Sequence, residues 1–290
     1  MSAITTPPVV VGVDGSAQSL TAVRWAAQYA ARHRAPLQLI HALGVPTDFG
    51  PGMAGPIFDV ESWRRAGRDL LAAVADTART AAAPIATIEV FSVVTDGAPV
   101  PVLRERAAEA RLVVVGSHGH GAFGRLLLGS VSTALVRHAH GPVAVIPDTE
   151  TDNWQGPVVV GVDGSPCSAQ AVAMAFEEAG ERGTAVTAVH TWSEFGRYES
   201  RKEMQIEAEA LLAESLAGYS EKYPEVPVTR IVTEDRPARR IMQAADGAQL
   251  IVLGSHGRGG FPGMTLGSVP HAVAHRTEVP LIVVRPRTTH

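Results

Sequence analysis

The chain has one cysteine, Cys167, so no disulfide can form within it. Basic residues do not outnumber acidic ones: 25 Lys and Arg stand against 29 Asp and Glu, for a formal charge of −4. That balance excludes the cationic surplus that nonspecific nucleic-acid binding needs. No apolar run approaches the roughly 18 residues of a membrane-spanning helix. The opening MSAITTPPVVVGVDGS lacks a basic segment and a cleavage site, so no signal peptide is expected. These absences lead to the expectation of a cytoplasmic protein with no nucleic acid or membrane partner. The Walker pattern GxxxxGK[ST] is missing, and no HExxH or similar spacing gathers the 11 histidines into a metal site.

What is present is a repeat. Val9 to Ser16 and Val158 to Ser165 both read VVVGVDGS. Val113 to Ser130, VVVGSHGHGAFGRLLLGS, has its counterpart in Ile251 to Ser268, IVLGSHGRGGFPGMTLGS. The second copy is shorter between these landmarks, at Ser193 to Glu199 against the Gly/Pro-rich Pro46 to Glu61. With 46% hydrophobic and 19% charged residues in 290, two packed domains are expected, 1–150 and 151–290, joined near Asp148 to Gln155.

Each half alternates strand and helix. In the first, the pattern predicts strands at Val9 to Val13, Leu37 to His41, Ile85 to Val94, Leu112 to Val115 and Val143 to Ile146. Helices fall between them, at Ala17 to His33, Val60 to Ala82, Pro99 to Glu109 and about Val131 to His138. The second half repeats the series, with helices at Ala169 to Glu181, Arg201 to Lys222, Pro237 to Ala245 and Val269 to His275. The fold class is therefore α/β: two tandem doubly wound domains, each a parallel sheet with helices on both faces. In an order 3-2-1-4-5 the turn after strand one and the loop after strand four meet at one crevice, where such sheets bind ligands.

Strand, glycine-rich loop and helix start together make a phosphate site, because backbone N–H groups and the helix dipole favour an anion. The pattern Gly-x2-Gly-x9-Gly-Ser occurs twice, as Gly116, Gly119, Gly129-Ser130 and as Gly254, Gly257, Gly267-Ser268. A GxGxxG run occurs once, from Gly119 to Gly124, but after strand four and without its third glycine in the other half, which argues against a dinucleotide fold. Asp14 and Asp163 are either turn caps or ligand contacts, and their repetition beside the glycine loops favours contact. His41 and His190 read as satisfied strand-end residues, and Cys167 has no nucleophile as its counterpart.

On these motifs the sequence resembles the universal stress protein family in its tandem form, over almost the whole chain. The resemblance implies a five-stranded sheet in the order 3-2-1-4-5 and, for the ATP-binding branch, a nucleotide in each half. It implies that Asp14 and Asp163 reach the ribose beside the backbone of Gly116 and Gly254. Ala42 and Thr191 would meet the adenine edge. Gly119, Gly129, Ser130, Val131 and Ser132 would hold the phosphates in the first half, and Gly257, Gly267, Ser268 and Val269 in the second. Pro270 stands where Ser132 does and has no N–H to give; Arg125 faces Gly263, and Arg258 stands in the place of His120. The first site is therefore expected to bind more tightly. Mg²⁺ would accompany ATP. No residue reads as catalytic: no lysine is shared by the loops and no base stands out, so at most weak ATP hydrolysis is expected. The alternatives are a slow ATPase or phosphoryl-transfer enzyme and a nucleotide-free scaffold. The expected role is a nucleotide-dependent stress-response sensor or regulator. Apolar fifth strands, which invite pairing, and the family resemblance lead to an expected pseudo-twofold pair of halves and a homodimer.

Overall fold

A computed structural model describes residues 6–44, 59–119, 128–148, 156–193, 200–258 and 265–285. Most of the Gly/Pro-rich segment from Pro46, the link at 149–155, the stretch 194–199 and the tips of both glycine loops lie outside these; so do His120, Arg125 and Gly263. The chain divides into two compact units, Met1–Asp148 and Thr149–Thr288. Among the described residues no helix is long and apolar enough to cross a membrane.

The first unit runs β1 (Val9–Gly12), α1 (Ala17–Arg32), β2 (Leu37–Ala42), α2 (Val60–Ala82), β3 (Val90–Thr95), α3 (Pro99–Arg106), β4 (Leu112–Gly116), α4 (Ser130–His138), β5 (Val143–Ile146). The second runs β6 (Val158–Gly161), α5 (Pro166–Arg182), β7 (Val186–Trp192), α6 (Arg201–Ser215), α7 (Tyr219–Lys222), β8 (Val228–Glu234), α8 (Pro237–Ala244), β9 (Leu250–Gly254), α9 (Ser268–Ala274), β10 (Leu281–Val284).

In the first unit β1 lies between β2 and β4, with β3 beyond β2 and β5 beyond β4, all parallel. In the second, β6 lies between β7 and β9, with β8 and β10 outside them, again parallel. Both have the order 3-2-1-4-5. The β-branched runs follow from burial on both faces. Val9, Val10 and Val11 are buried, as are Val113, Val114 and their equivalents in β6 and β9. α1 packs on α2 and α3 on α4, so right-handed crossovers place a helix pair on each face. α1 begins where the Ser16 hydroxyl accepts from Ser19 N–H at 3.1 Å, and α5 where Ser165 does the same for Ser168.

Among the boundaries that differ from the sequence reading, three have a cause in the packing or the backbone. The third strand starts at Val90, not Ile85. Ile85 and Ala86 N–H groups turn back onto the Ala82 carbonyl after α2, which leaves Ile85 40% exposed. The long helix expected over Arg201 to Lys222 breaks at Gly218, whose φ of +78° only glycine adopts readily. The break lets Tyr219 stack on Phe176 of α5, with ring centroids 4.7 Å apart. α5 starts at Pro166, three residues earlier than periodicity suggested, because proline suits a first helical turn.

The strand-end histidines are satisfied. His41 Nδ1 lies 2.8 Å from the Val13 carbonyl and His190 Nδ1 lies 2.7 Å from that of Val162. α2 rides close over this point. A Cβ on Gly67 would stand 2.9 Å from His41 Cδ2 and 3.3 Å from Val94. Gly67→Val should therefore push α2 off the sheet and lose about 1–3 kcal/mol, as overpacked sites do. A urea-unfolding midpoint for the first unit unchanged from wild type would contradict this packing.

Candidate functional site

The first unit's site begins where β1 stops. A Cβ on Gly12 would stand 2.9 Å from Leu103 Cδ1, so the glycine lets α3 close over the strand end. Gly15, at φ +88°, then turns the chain. Asp14 Oδ1 accepts from Ser16 N–H at 2.9 Å and from the Ser16 hydroxyl at 2.6 Å, fixing the carboxyl group at the mouth of the turn. Its other oxygen faces Gly119, where an added Cβ would stand 2.5 Å away. One side chain thus caps the turn and stands against the glycine loop.

The glycine loop leaves β4 on the other side. The Ser117 N–H continues the ladder to the Ile146 carbonyl at 2.8 Å, and the Ser117 carbonyl accepts from Gly129 N–H at 2.7 Å. That bond brings the loop back so that α4 starts beside β4, with Gly129 as N-cap. In a first turn the N–H groups of Ser130, Val131 and Ser132 have no intrahelical acceptors. The Ser132 hydroxyl is buried and donates to the Gly116 carbonyl at 2.6 Å. It therefore ties α4 to the end of β4, and its backbone N–H is what remains for the cavity.

These pieces enclose a cavity of about 500 Å³. Its lining includes Asp14, Ala42, Gly116, Gly119, Gly129, Ser130, Val131 and Ser132, the first-unit residues that the resemblance implied as nucleotide contacts. The second unit has a matching cavity of about 350 Å³, lined by Asp163, Thr191, Gly254, Gly257, Gly267, Ser268 and Val269 among others. Asp163 Oδ1 accepts from Ser165 N–H at 2.9 Å, and Gly267 N–H bonds the Ser255 carbonyl at 2.8 Å, as in the first unit.

The sequence reading passed over the apolar wall. Pro99 and Leu103 of α3, with Ile40 and Val115, close the first cavity; Pro237, Ile241, Val189 and Leu253 close the second. The signal was there: a helix that starts at the carboxyl end of a strand starts at the ligand edge of the sheet. His118 and His256 also line the cavities. Each is paired through Nδ1 with the preceding serine hydroxyl, at 2.9 Å in both units.

The charges differ between the two units. Arg258 lines the second cavity, and its guanidinium lies against Gly164 of the Asp-Gly-Ser turn. Arg285, just past β10, donates to the Thr265 carbonyl; burial lowers its pKa from the usual arginine value, partly opposed by Cys167. Cys167 itself is buried against Ser255, with Sγ 3.8 Å from Oγ. Among the described residues no group of three or more His, Cys, Asp or Glu could hold a metal.

The universal stress protein family model matches residues 6–147 and again 156–285. The chain belongs to the universal stress protein family. A universal stress protein of Mycobacterium tuberculosis is 46% identical over 288 residues, which cover 96% of each chain. One of Mycolicibacterium smegmatis is 41% identical over 292 residues, covering 96% of this chain and 97% of the relative. The crystal structure of a universal stress protein from Archaeoglobus fulgidus superposes with a TM-score of 0.71 at 19% identity, covering 97% of this chain and 99% of that one. That likeness bears on the fold, and it agrees with the two five-stranded units described here.

The motif glycines at the strand ends also serve packing. A Cβ on Gly254 would stand 2.8 Å from backbone carbon of Cys167; on Gly116 it would stand 3.1 Å from the Gln18 carbonyl oxygen. Gly254→Ala should destabilise the second unit by about 1–3 kcal/mol, and Gly116→Ala the first by less. Hydrogen exchange read separately for each unit measures both; equal protection in the Gly254→Ala chain and wild type would show that the helix can give way.

Proposed function

We propose that this universal stress protein binds adenine nucleotide in each unit, with ATP as the ligand and Mg²⁺ carried on its phosphates, and acts as a nucleotide-dependent regulator. One observation carries the reading. An acid at the strand-one turn, a backbone edge at the end of strand two, and a glycine loop leading to a helix start converge on one cavity in both units.

Each part suits a portion of the nucleotide. The wall of Ile40, Leu103 and Val115 takes the apolar face of a base, and the Ala42 backbone offers it a hydrogen-bonding edge. The Asp14 carboxyl group accepts from ribose hydroxyls. Gly119 leaves the room a side chain would fill, and the first-turn N–H groups of α4 receive phosphate oxygens. A bound triphosphate supplies negative charge and acceptor oxygens at that helix start. Asp163, Thr191, Gly257, Gly267, Ser268 and Val269 take the same parts in the second unit. The described residues provide no metal cage, so the Mg²⁺ would be held chiefly by phosphate and water, as Mg²⁺ usually is. The described lining of neither cavity includes a lysine, which favours binding over phosphoryl transfer.

Titration calorimetry of ATP into the full chain tests the proposal. Heat of binding at millimolar nucleotide or below is expected, and silence with every adenine nucleotide would overturn it. Gly119→Ala should weaken binding without unfolding the protein, because the new Cβ meets the outer oxygen of the Asp14 side chain and no described backbone atom. The two sites are separable with Asp14→Ala and Asp163→Ala. The chain carrying Asp163→Ala, with its first site intact, should bind roughly tenfold more tightly. Ser132 keeps an N–H that Pro270 lacks, and a charge-assisted hydrogen bond contributes about 1.5–3 kcal/mol; Arg258, which lines the second cavity, works the other way. The reverse order would refute the ranking.

A further inference from the structure

We infer that His118 is a phosphate-binding residue of the first unit, an Nε2–H donor whose tautomer is set by Ser117; the inference rests on the nucleotide reading above. Ser117 is buried, and its backbone is held at both ends, by Ile146 and by Gly129. Its hydroxyl lies 2.9 Å from His118 Nδ1 and has no other partner among the described residues. A hydroxyl hydrogen with one nitrogen in reach goes to that nitrogen, so Nδ1 accepts. A neutral imidazole has one acceptor and one donor, so Nε2 carries the proton. Protonation of the ring leaves Nε2 a donor as well.

This Nε2 is buried and has no hydrogen-bond partner among the described residues. A buried donor without an acceptor is costly and rare, and it points to an acceptor that the described residues do not supply. The place identifies the acceptor. His118 lines the cavity, and its Cα lies 3.4 Å from where a Cβ of Gly129 would stand, at the N-cap of the nine-residue α4. An anion drawn to that helix start brings its oxygens to the histidine. The base sits toward Ile40, and the ribose at Asp14, whose outer oxygen faces Gly119. The Ser255–His256 pair of the second unit has the same 2.9 Å spacing, so the arrangement is built into the fold and not incidental to one loop.

The test uses the full chain carrying Asp163→Ala, so that the first site is read alone, with ATP and adenosine as probes. His118→Leu should weaken ATP roughly tenfold to a hundredfold, the worth of a hydrogen bond to a charged group, and leave adenosine unchanged. His118→Gln, which keeps an amide donor near the Nε2 position, should recover most of the ATP affinity, and it carries the comparison if the leucine variant does not fold. Long-range ¹H–¹⁵N spectra of the unmutated chain should show the His118 ring with its proton on Nε2, moving on addition of ATP. Equal ATP binding by wild type, His118→Leu and His118→Gln overturns the inference and leaves the nucleotide reading standing. Equal losses for ATP and adenosine, or an Nδ1–H tautomer, also overturn it. Failure of wild type to bind either probe overturns both readings.

Discussion

Between β1 and β4 the chain leaves neighbouring strands toward opposite faces of the sheet, and the site depends on that divergence. Where the connections part, neither α1 nor α4 crosses the strand ends, and a crevice opens at their carboxyl edge with α3 as its wall. The turn aspartate and the glycine loop gather at the strand ends, where backbone N–H groups run out of ladder partners. The carboxylate at one lip and the helix start at the other are each held by short local bonds, Asp14 to Ser16 and Gly129 to Ser117. The site is therefore preorganised by the same hydrogen bonds that terminate the strands.

The two units show which features the crevice needs and which are free to change. The turn aspartate, the loop glycines, the serine–histidine pair and the strand-end histidine recur with almost the same distances. The apolar wall changes by exchange. Ile40 and Leu103 give way to Val189 and Ile241, while Val115 gives way to the larger Leu253, so what one wall position loses another regains. Away from the site the solutions diverge completely. Where α1 buries Tyr29, its ring tilted against His33 with centroids 4.4 Å apart, α5 buries an ion pair of Glu178 and Arg182 at the equivalent positions. The core tolerates either, provided the volume is filled and the charges are paired.

Much of this was legible in the sequence because the chain states it twice. The repeated VVVGVDGS and the spaced glycines marked the strand ends, and a parallel sheet with one switch point leaves only one way for them to meet. What stayed hidden depended on contacts distant in sequence. Periodicity ran a helix through Gly218, since nothing local says that Tyr219 must reach Phe176. Ile85 reads as strand by composition, but the turn after α2 claims its backbone. The lipophilic wall from α3 was legible in outline from where that helix starts, but which of its side chains reach the crevice was not. Ser132 was read for its N–H alone, and its hydroxyl bond to Gly116 became visible only once α4 was placed beside β4.

The bond from Gly129 N–H to the Ser117 carbonyl, repeated at Gly267 and Ser255, has an evolutionary side. It brings together the two ends of each glycine loop, whatever lies between. Closing a longer loop through the same pair of residues costs only the logarithm of its length, about 0.6 kcal/mol for each doubling. The sheet does not register that cost, because the ladder ends at Ser117 and the helix begins at Ser130. Residues inside the clamp can thus be inserted, lost or exchanged almost independently of fold stability. A duplicated chain has two such segments to diverge, one for each crevice, with the rest of the architecture left untouched.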